Sequence, residues 1–135
     1  MTQELRDRFY GYTIDEWISK VPGELDVDAV GLWQIVSFGR EGFELSGNSL
    51  VEYVRRNLLA LTAAGARPVV GALDGEHIWT KVDYGDTADE VCDSIIAEWV
   101  ASGRDPNEGD VWFAKPHIYS AARSSVMPDG RNGLS

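Results

Sequence analysis

The residues in this chain best spaced for chemistry are four carboxylates, Asp86, Asp89, Glu90 and Asp93. Their i, i+3, i+4 and i+7 spacing lines them along one side of a predicted helix. Acids near a helix start are favoured by the helix dipole, so such a row is typical of a solvated face. Carboxylates also bind hard cations, but no loop of calcium-binding spacing accompanies them. We therefore predict no metal site.

The stretch that contains these carboxylates carries most of the excess acid. Residues 83–110 hold nine acids and one base, Arg104, which gives a net charge of −8 out of −10 for the whole chain. A one-sided field of this size steers association with a basic protein. The four carboxylates are thus the predicted partner-binding residues. The same charge repels nucleic-acid phosphates and anionic membranes, so neither is a predicted partner.

A second candidate is the face of a predicted sheet that carries two tryptophans. Alternation along a strand over 76–84 puts His77, Trp79 and Lys81 on one side, and Trp112 of a later strand joins them. Bare, these rings would form an apolar patch that a soluble monomer rarely exposes. We therefore expect one of three occupants to cover the face: a lid of the helices around Trp17 and Trp33, a second copy in a homodimer, or a ligand.

The loop over 39–48 supplies further candidates for a ligand pocket, since it holds three glycines with Arg40 and Phe43. Its spacing matches neither the phosphate-loop nor the dinucleotide fingerprint, so no cofactor is predicted. A pocket between the N-terminal helices and the aromatic sheet face would have six lining residues: Trp33, Arg40, Phe43, His77, Trp79 and Trp112.

The catalytic inventory is small. Neither His77 nor His117 has a neighbour at metal-ligand spacing. Cys92 lies near a predicted helix start, but the adjacent acids oppose thiolate formation. Carboxylates converge in space without any sequence signature, so the sequence leaves open whether the protein is an enzyme.

The N-terminal half is predicted to be helical. A capping box at Thr13 predicts a helix start, and Pro22 followed by Gly23 predicts the end of that helix. A second capping box at Ser49 predicts a helix over 50–64. A further helix is predicted from residue 26 or 28 to Phe38. A strand over 30–38 is the competing prediction, because a short apolar run fits both periods.

The C-terminal half predicts a small sheet. An apolar strand over 67–73, a turn at Asp74-Gly75 and the strand over 76–84 form a hairpin. A helix over 87–102, opened by a third capping box at Thr87, precedes a strand over 111–114. The prediction is an α+β fold in which a three-stranded antiparallel sheet (hairpin, helix, strand), with the 67–73 strand central, packs with the N-terminal helices.

The 135-residue length fits one domain, which we place at 1–120, followed by a mobile C-terminal tail over 121–135. A single cysteine, a polar N-terminus without signal-peptide character and the absence of a long apolar run indicate a soluble, cytoplasmic protein.

These features predict a non-enzymatic protein-interaction domain, of inhibitor or immunity type, that uses its acidic surface. The alternative is a small-molecule-binding protein or enzyme with the pocket described above.

Overall fold

The computed structural model of the protein describes residues 5–73 and 75–120. They form a mixed α+β fold with an antiparallel sheet, which confirms the predicted class. The α-helices are α1 (Ile14–Lys20), α2 (Leu32–Glu41), α3 (Gly47–Ala63), α4 (Ala88–Ser102) and α5 (Pro116–Tyr119). A 3₁₀ helix, Val21–Asp26, follows α1. The strands are β1 (Val30–Gly31), β2 (Arg67–Gly71), β3 (Trp79–Lys81) and β4 (Trp112–Ala114).

The sheet has four described strands, in the order β1-β4-β2-β3, instead of the predicted three. The most apolar strand, β2, lies between β3 and β4 as predicted, with Val70 opposite Thr80 and Val69 opposite Trp112. The added strand β1 pairs with β4 through Val30 and Phe113. A two-residue strand is too short to show an alternating pattern, so a strand at this position was predicted only as the alternative over 30–38.

Residues 30–38 combine the two predicted alternatives. Residues 30–31 are a strand, and the helix starts at Leu32, so the prediction of a helix from residue 26 or 28 is wrong for its first turns. Gly31 causes the change, because its backbone is extended (φ −90°, ψ 145°) and its N–H donates to the Gln34 side chain at 2.9 Å. A Cβ at Gly31 would lie 2.8 Å from Trp33 Cδ1, which explains the glycine.

Two of the three predicted capping boxes are present. At Thr13 and Thr87 the hydroxyl accepts the backbone N–H three residues later, and the glutamate there accepts the N–H of the threonine. The box at Ser49 is wrong. α3 begins at Gly47, so Ser49 lies inside the first turn and its hydroxyl donates to the Ser46 carbonyl at 2.8 Å.

The predicted hairpin is present, although its paired strands are shorter than expected. Hydrogen bonds extend the β2–β3 pairing by one residue at each end, from Ala72 N to Ile78 O (2.9 Å) and from Val82 N to Pro68 O (3.0 Å). Asp74 of the predicted turn lies outside the described residues. The predicted tail over 121–135 also lies outside them.

The sheet separates a large core from a small one. The large core lies against the helices and includes Phe113, Tyr53 and Ile95, all almost fully buried. The small core lies on the opposite face around Val69 and Ala114, as the register requires. α5, which the sequence did not predict, packs on β3.

Candidate functional site

The aromatic sheet face brings together three of the six residues predicted to bind a ligand. Trp79 and Trp112 lie with ring centroids 5.2 Å apart, and Trp33 meets Trp112 edge to face at 6.4 Å. The Trp112 indole N–H donates to the Glu108 carbonyl at 2.9 Å, which fixes that ring. His77 is half-buried just before β3.

The other two predicted ligand residues lie elsewhere. Arg40 donates to Asp105 at 2.8 Å, in the loop that follows α4. Phe43 is buried in the large core, with its ring 5.6 Å from that of Tyr53. The structure therefore does not form one pocket from the six residues.

The aromatic sheet face is partly covered from within the chain, by one of the two helices that we expected. Trp33 contacts the face through Trp112, whereas Trp17 stacks on Phe38, with ring centroids 3.9 Å apart. The remaining cover is α5, whose Ile118 and Tyr119 pack on the small core beside the tryptophans. The sequence missed this cover because α5 has only four residues.

The acidic stretch 83–110 lies largely at the surface. Eight of its nine carboxylate residues are exposed, and Asp110 is half-buried beside Arg104. The Arg104 guanidinium, by donating hydrogen bonds to Asp110, is the main cause that lowers the pKa of that carboxyl, and the Asn107 N–H adds to it.

The four predicted partner-binding acids have different roles within α4 and its approach. Arg55 of α3 pairs with both Asp89, at 3.0 Å, and Asp93. Glu90 belongs to the capping box, where backbone N–H groups of Thr87 and Asp86 lower the pKa of its carboxyl. These contacts partly neutralise the row and leave Asp86 as the member whose carboxylate has no ion pair or hydrogen bond with the described residues.

The structure shows a second aromatic surface that the sequence analysis did not identify. Five rings contact one another near the N-terminus, with centroid separations of 3.9 to 6.5 Å. We call them the aromatic patch: Phe9, Tyr10, Tyr12, Trp17 and Phe38. Phe9 is 55% and Tyr10 67% exposed. The concentration of aromatic residues in positions 9–17 was the available signal.

Asp7 holds the N-terminal part of this patch in place. Its carboxylate is buried, with 3% exposure, and accepts the backbone N–H groups of Phe9, Tyr10 and Tyr12 at 2.6 to 2.8 Å. Burial raises the pKa of the Asp7 carboxyl, but these hydrogen bonds outweigh burial and leave the pKa below its usual value. The chain before α1 therefore forms an ordered loop around Asp7.

Two cations lie over rings of the patch. Lys20 Nζ is 4.7 Å from the Tyr12 ring centroid, and the Arg8 guanidinium carbon is 5.6 Å from that of Phe9. Such contacts are individually weak at exposed sites, but they hold long side chains against the rings. The patch thus presents aromatic faces bordered by positive charge.

A cavity of about 470 Å³ adjoins the patch, between the N-terminal helices and β1. Trp17 and Phe38 belong to both the cavity wall and the patch, and Lys20, Glu24 and Gln34 add polar groups to the wall. None of the six predicted ligand residues lines this cavity.

The residues considered for catalysis are engaged elsewhere. Cys92 is fully buried, and burial raises the pKa of its thiol, so the thiolate form is disfavoured. His117 Nε2 lies 3.1 Å from the Asp26 carbonyl oxygen. Over residues 5–73 and 75–120 no group of three or more His, Cys, Asp or Glu is arranged to hold a metal ion. In the same part of the chain, no helix has the length and apolar character to cross a membrane.

Compared with protein-family models, with curated proteins and with solved structures, the chain matches none of them.

Proposed function

We propose that the protein is a non-enzymatic protein-binding domain of inhibitor or immunity type. The aromatic patch is the observation that carries this proposal. Large exposed rings are costly to leave in water, and tyrosine and tryptophan are enriched among the residues that dominate binding energy at interfaces. Asp7 fixes the loop that carries Phe9 and Tyr10, so these rings are ordered before a partner arrives, which reduces the entropic cost of binding.

The net charge favours a basic partner, although Arg8 and Lys20 place two positive charges at the patch itself. The exposed carboxylates of 83–110 produce a negative field on a protein of net charge −10. Long-range attraction of this kind raises the association rate, whereas buried aromatic contacts slow dissociation. The proposed division of roles is that the acids steer the partner and the patch holds it.

Paired variants test the patch. We expect Phe9→Ser with Tyr10→Ser to lower affinity for the partner at least about tenfold, because both rings lose their burial at the interface. Val27→Ser is the matched control, since Val27 is an exposed apolar residue (77%) outside the patch. Capture from native lysate at low salt, quantified by mass spectrometry, would identify a protein retained by the unchanged chain and the control but lost by the patch variant.

Kinetics with the captured protein then test the role of the acids. Changing Asp86, Asp89 and Asp93 to Asn is expected to slow association and flatten its salt dependence, with little change in dissociation. If every captured protein binds the patch variant and the Val27→Ser control equally, the proposal is wrong. The alternative of a small-molecule-binding protein or enzyme with a pocket at the aromatic sheet face stays a prediction.

A further inference from the structure

We infer that a cavity at one end of the sheet binds a small zwitterion, namely an α-amino acid with an apolar side chain. The cavity has a volume of about 510 Å³ and lies where β2 begins, β3 ends and α4 begins. This volume is within the range typical of small-molecule sites. The cavity is separate from the aromatic patch, and Asp86 is the one lining residue that it shares with the acids proposed to steer the partner.

The first evidence is a pair of cations that form no ion pair with a carboxylate of residues 5–73 or 75–120. Ten of the Lys and Arg side chains lie in the described residues, and six of them form ion pairs with Asp or Glu. Among these ten, Arg8 and Lys20 lie over rings of the aromatic patch, and Arg67 and Lys81 line this cavity. In a chain with 22 acids and 12 bases, two adjacent unpaired cations are unexpected.

The sheet register brings the two cations together. Lys81 lies opposite Val69, and Arg67 precedes Val69 by two residues, so both side chains leave the same face of the hairpin. Arg67 uses Nη1 to donate to the Ala66 carbonyl at 2.8 Å, and its other N–H groups form no hydrogen bond within the described part of the chain. A guanidinium beside an ammonium is suited to bind a carboxylate.

Two carboxylates on the rim provide the complementary charge. Asp83 and Asp86 line the same cavity, yet neither forms an ion pair with Arg67 or Lys81. Asp83 accepts the Gly85 N–H at 3.0 Å through one oxygen, which leaves its second oxygen for an ammonium group. The rim therefore offers both signs of charge without pairing them, an arrangement that matches an amino acid better than a simple anion.

Part of the cavity wall, on the other face of the hairpin from the two cations, is apolar. Pro68 and Val91 are buried and Val82 is half-buried, and all three line the cavity. The Tyr119 ring completes the wall, with Lys81 Nζ 5.4 Å from its centroid. Just before α4, Glu90 accepts the amide groups of Asp86 and Thr87, so these two amides are not available to an anion. These residues offer a contact surface for a hydrocarbon side chain.

Three matched probes test the inference by calorimetry on the full chain: L-leucine, 4-methylpentanoate and 3-methylbutylamine. The second lacks the amino group of leucine and the third lacks its carboxylate. We expect leucine to bind and each analogue to bind at least about tenfold more weakly, because each leaves one pair of charged groups on the rim unused. No heat from leucine at millimolar concentration, or equal binding of all three, overturns the inference.

Variants test which residues bind the carboxylate and the ammonium group of the ligand. Arg67→Met and Lys81→Met are expected to weaken leucine binding at least about tenfold, whereas Arg8→Met and Lys20→Met, which also remove unpaired cations, leave it unchanged. Asp83→Asn together with Asp86→Asn weakens leucine but not 4-methylpentanoate. Thermal unfolding confirms that each variant is folded. Unchanged leucine binding by Arg67→Met and Lys81→Met contradicts the assignment.

Discussion

Asp7 shows how much one carboxylate can organise. Three backbone N–H groups, those of Phe9, Tyr10 and Tyr12, converge on it within an irregular loop, whereas the N–H groups of Asp7 and Gly11 bond to backbone carbonyls of the same loop. The carboxylate therefore replaces the missing backbone acceptors, and the aromatic rings on the loop depend on it for their position. A buried charge is tolerated here because all its hydrogen bonds are charge-assisted.

We predict that Asp7→Asn lowers the free energy of unfolding by about 2 kcal/mol. The substituted amide keeps one acceptor oxygen and turns an NH₂ group toward backbone donors, which leaves them unsatisfied. Chemical denaturation measures the change. Asp86→Asn is the matched control, because this exposed carboxylate makes no hydrogen bond or ion pair with the described residues, and its change should stay within about 0.5 kcal/mol.

The stability difference between the unchanged protein and Asp7→Asn should depend on pH. The folded state lowers the pKa of the Asp7 carboxyl, so its stabilising effect is complete above the unfolded pKa of about 3.9 and is lost as pH falls through the folded pKa. The stability difference between the unchanged protein and Asp7→Asn should be constant from pH 7 to 5 and shrink below about pH 4. A difference that also declines between pH 7 and 5 contradicts this account.

Sequence reasoning did not find Asp7, and the reason is physical. Its partners lie two to five residues away in an irregular loop, and no hydrophobic period marks such a turn. Trp79 and Trp112, by contrast, could be placed on one face because alternation in a strand has a fixed period of two. Arg40 and Phe43 entered the predicted pocket only through their shared loop, and loop composition does not specify which side chain turns inward.

At the scale of elements, the three predicted capping boxes show that the sequence pattern alone does not decide where a helix begins. Thr13, Thr87 and Ser49 are each followed three residues later by glutamate. The pattern predicts a helix start only where the chain before it is extended. Thr13 and Thr87 are extended, with ψ near 160°, whereas Ser49 follows a helix that has already begun at Gly47.

This contrast gives a direct test. We expect Thr87→Ala to lower stability by about 1 kcal/mol, because the Glu90 N–H loses its acceptor. Ser49→Ala, which changes the same sequence pattern, should change stability by less than about 0.5 kcal/mol, because its hydroxyl caps no amide. Denaturant unfolding of the two variants side by side measures both effects. Equal losses would show that Ser49 does cap a helix in solution.

The sheet shows which parts of the fold are specified by local sequence and which depend on tertiary packing. Order and register of β2, β3 and β4 follow from one hairpin and one helical crossover, both of which leave clear signals. β1 depends on β4, more than 80 residues away in sequence, and on the room that Gly31 leaves for Trp33 and Trp112. Such a strand is specified by tertiary packing, so propensity alone does not reveal it.

For the whole molecule, charge is the dominant feature. Six described cations form ion pairs, but a net charge of −10 leaves many carboxylates without a counter-charge. Isolated surface pairs contribute little, while mutual repulsion among the remaining acids opposes the compact state.

We therefore predict that salt stabilises the fold at neutral pH. Raising NaCl from about 10 to 300 mM shortens the screening length to less than the spacing of distant carboxylates, and the Tm should rise by roughly 2–4 °C. At pH 4.5, close to the sequence pI of about 4.5, the net charge is near zero and the rise should vanish. Scanning calorimetry at the two pH values measures both. An equal rise at pH 4.5 would exclude charge repulsion as the cause.

The two edge strands of the sheet affect how the protein behaves at high concentration. An exposed strand edge is a template on which another chain can add a strand and start aggregation. Here one edge is β1, only two residues long, and the other is β3, three residues long and ending at Lys81. Both edges are too short to template an extended cross-strand ladder, and a lysine at one of them adds a desolvation cost. The sheet is in this way protected against fibrillar self-association.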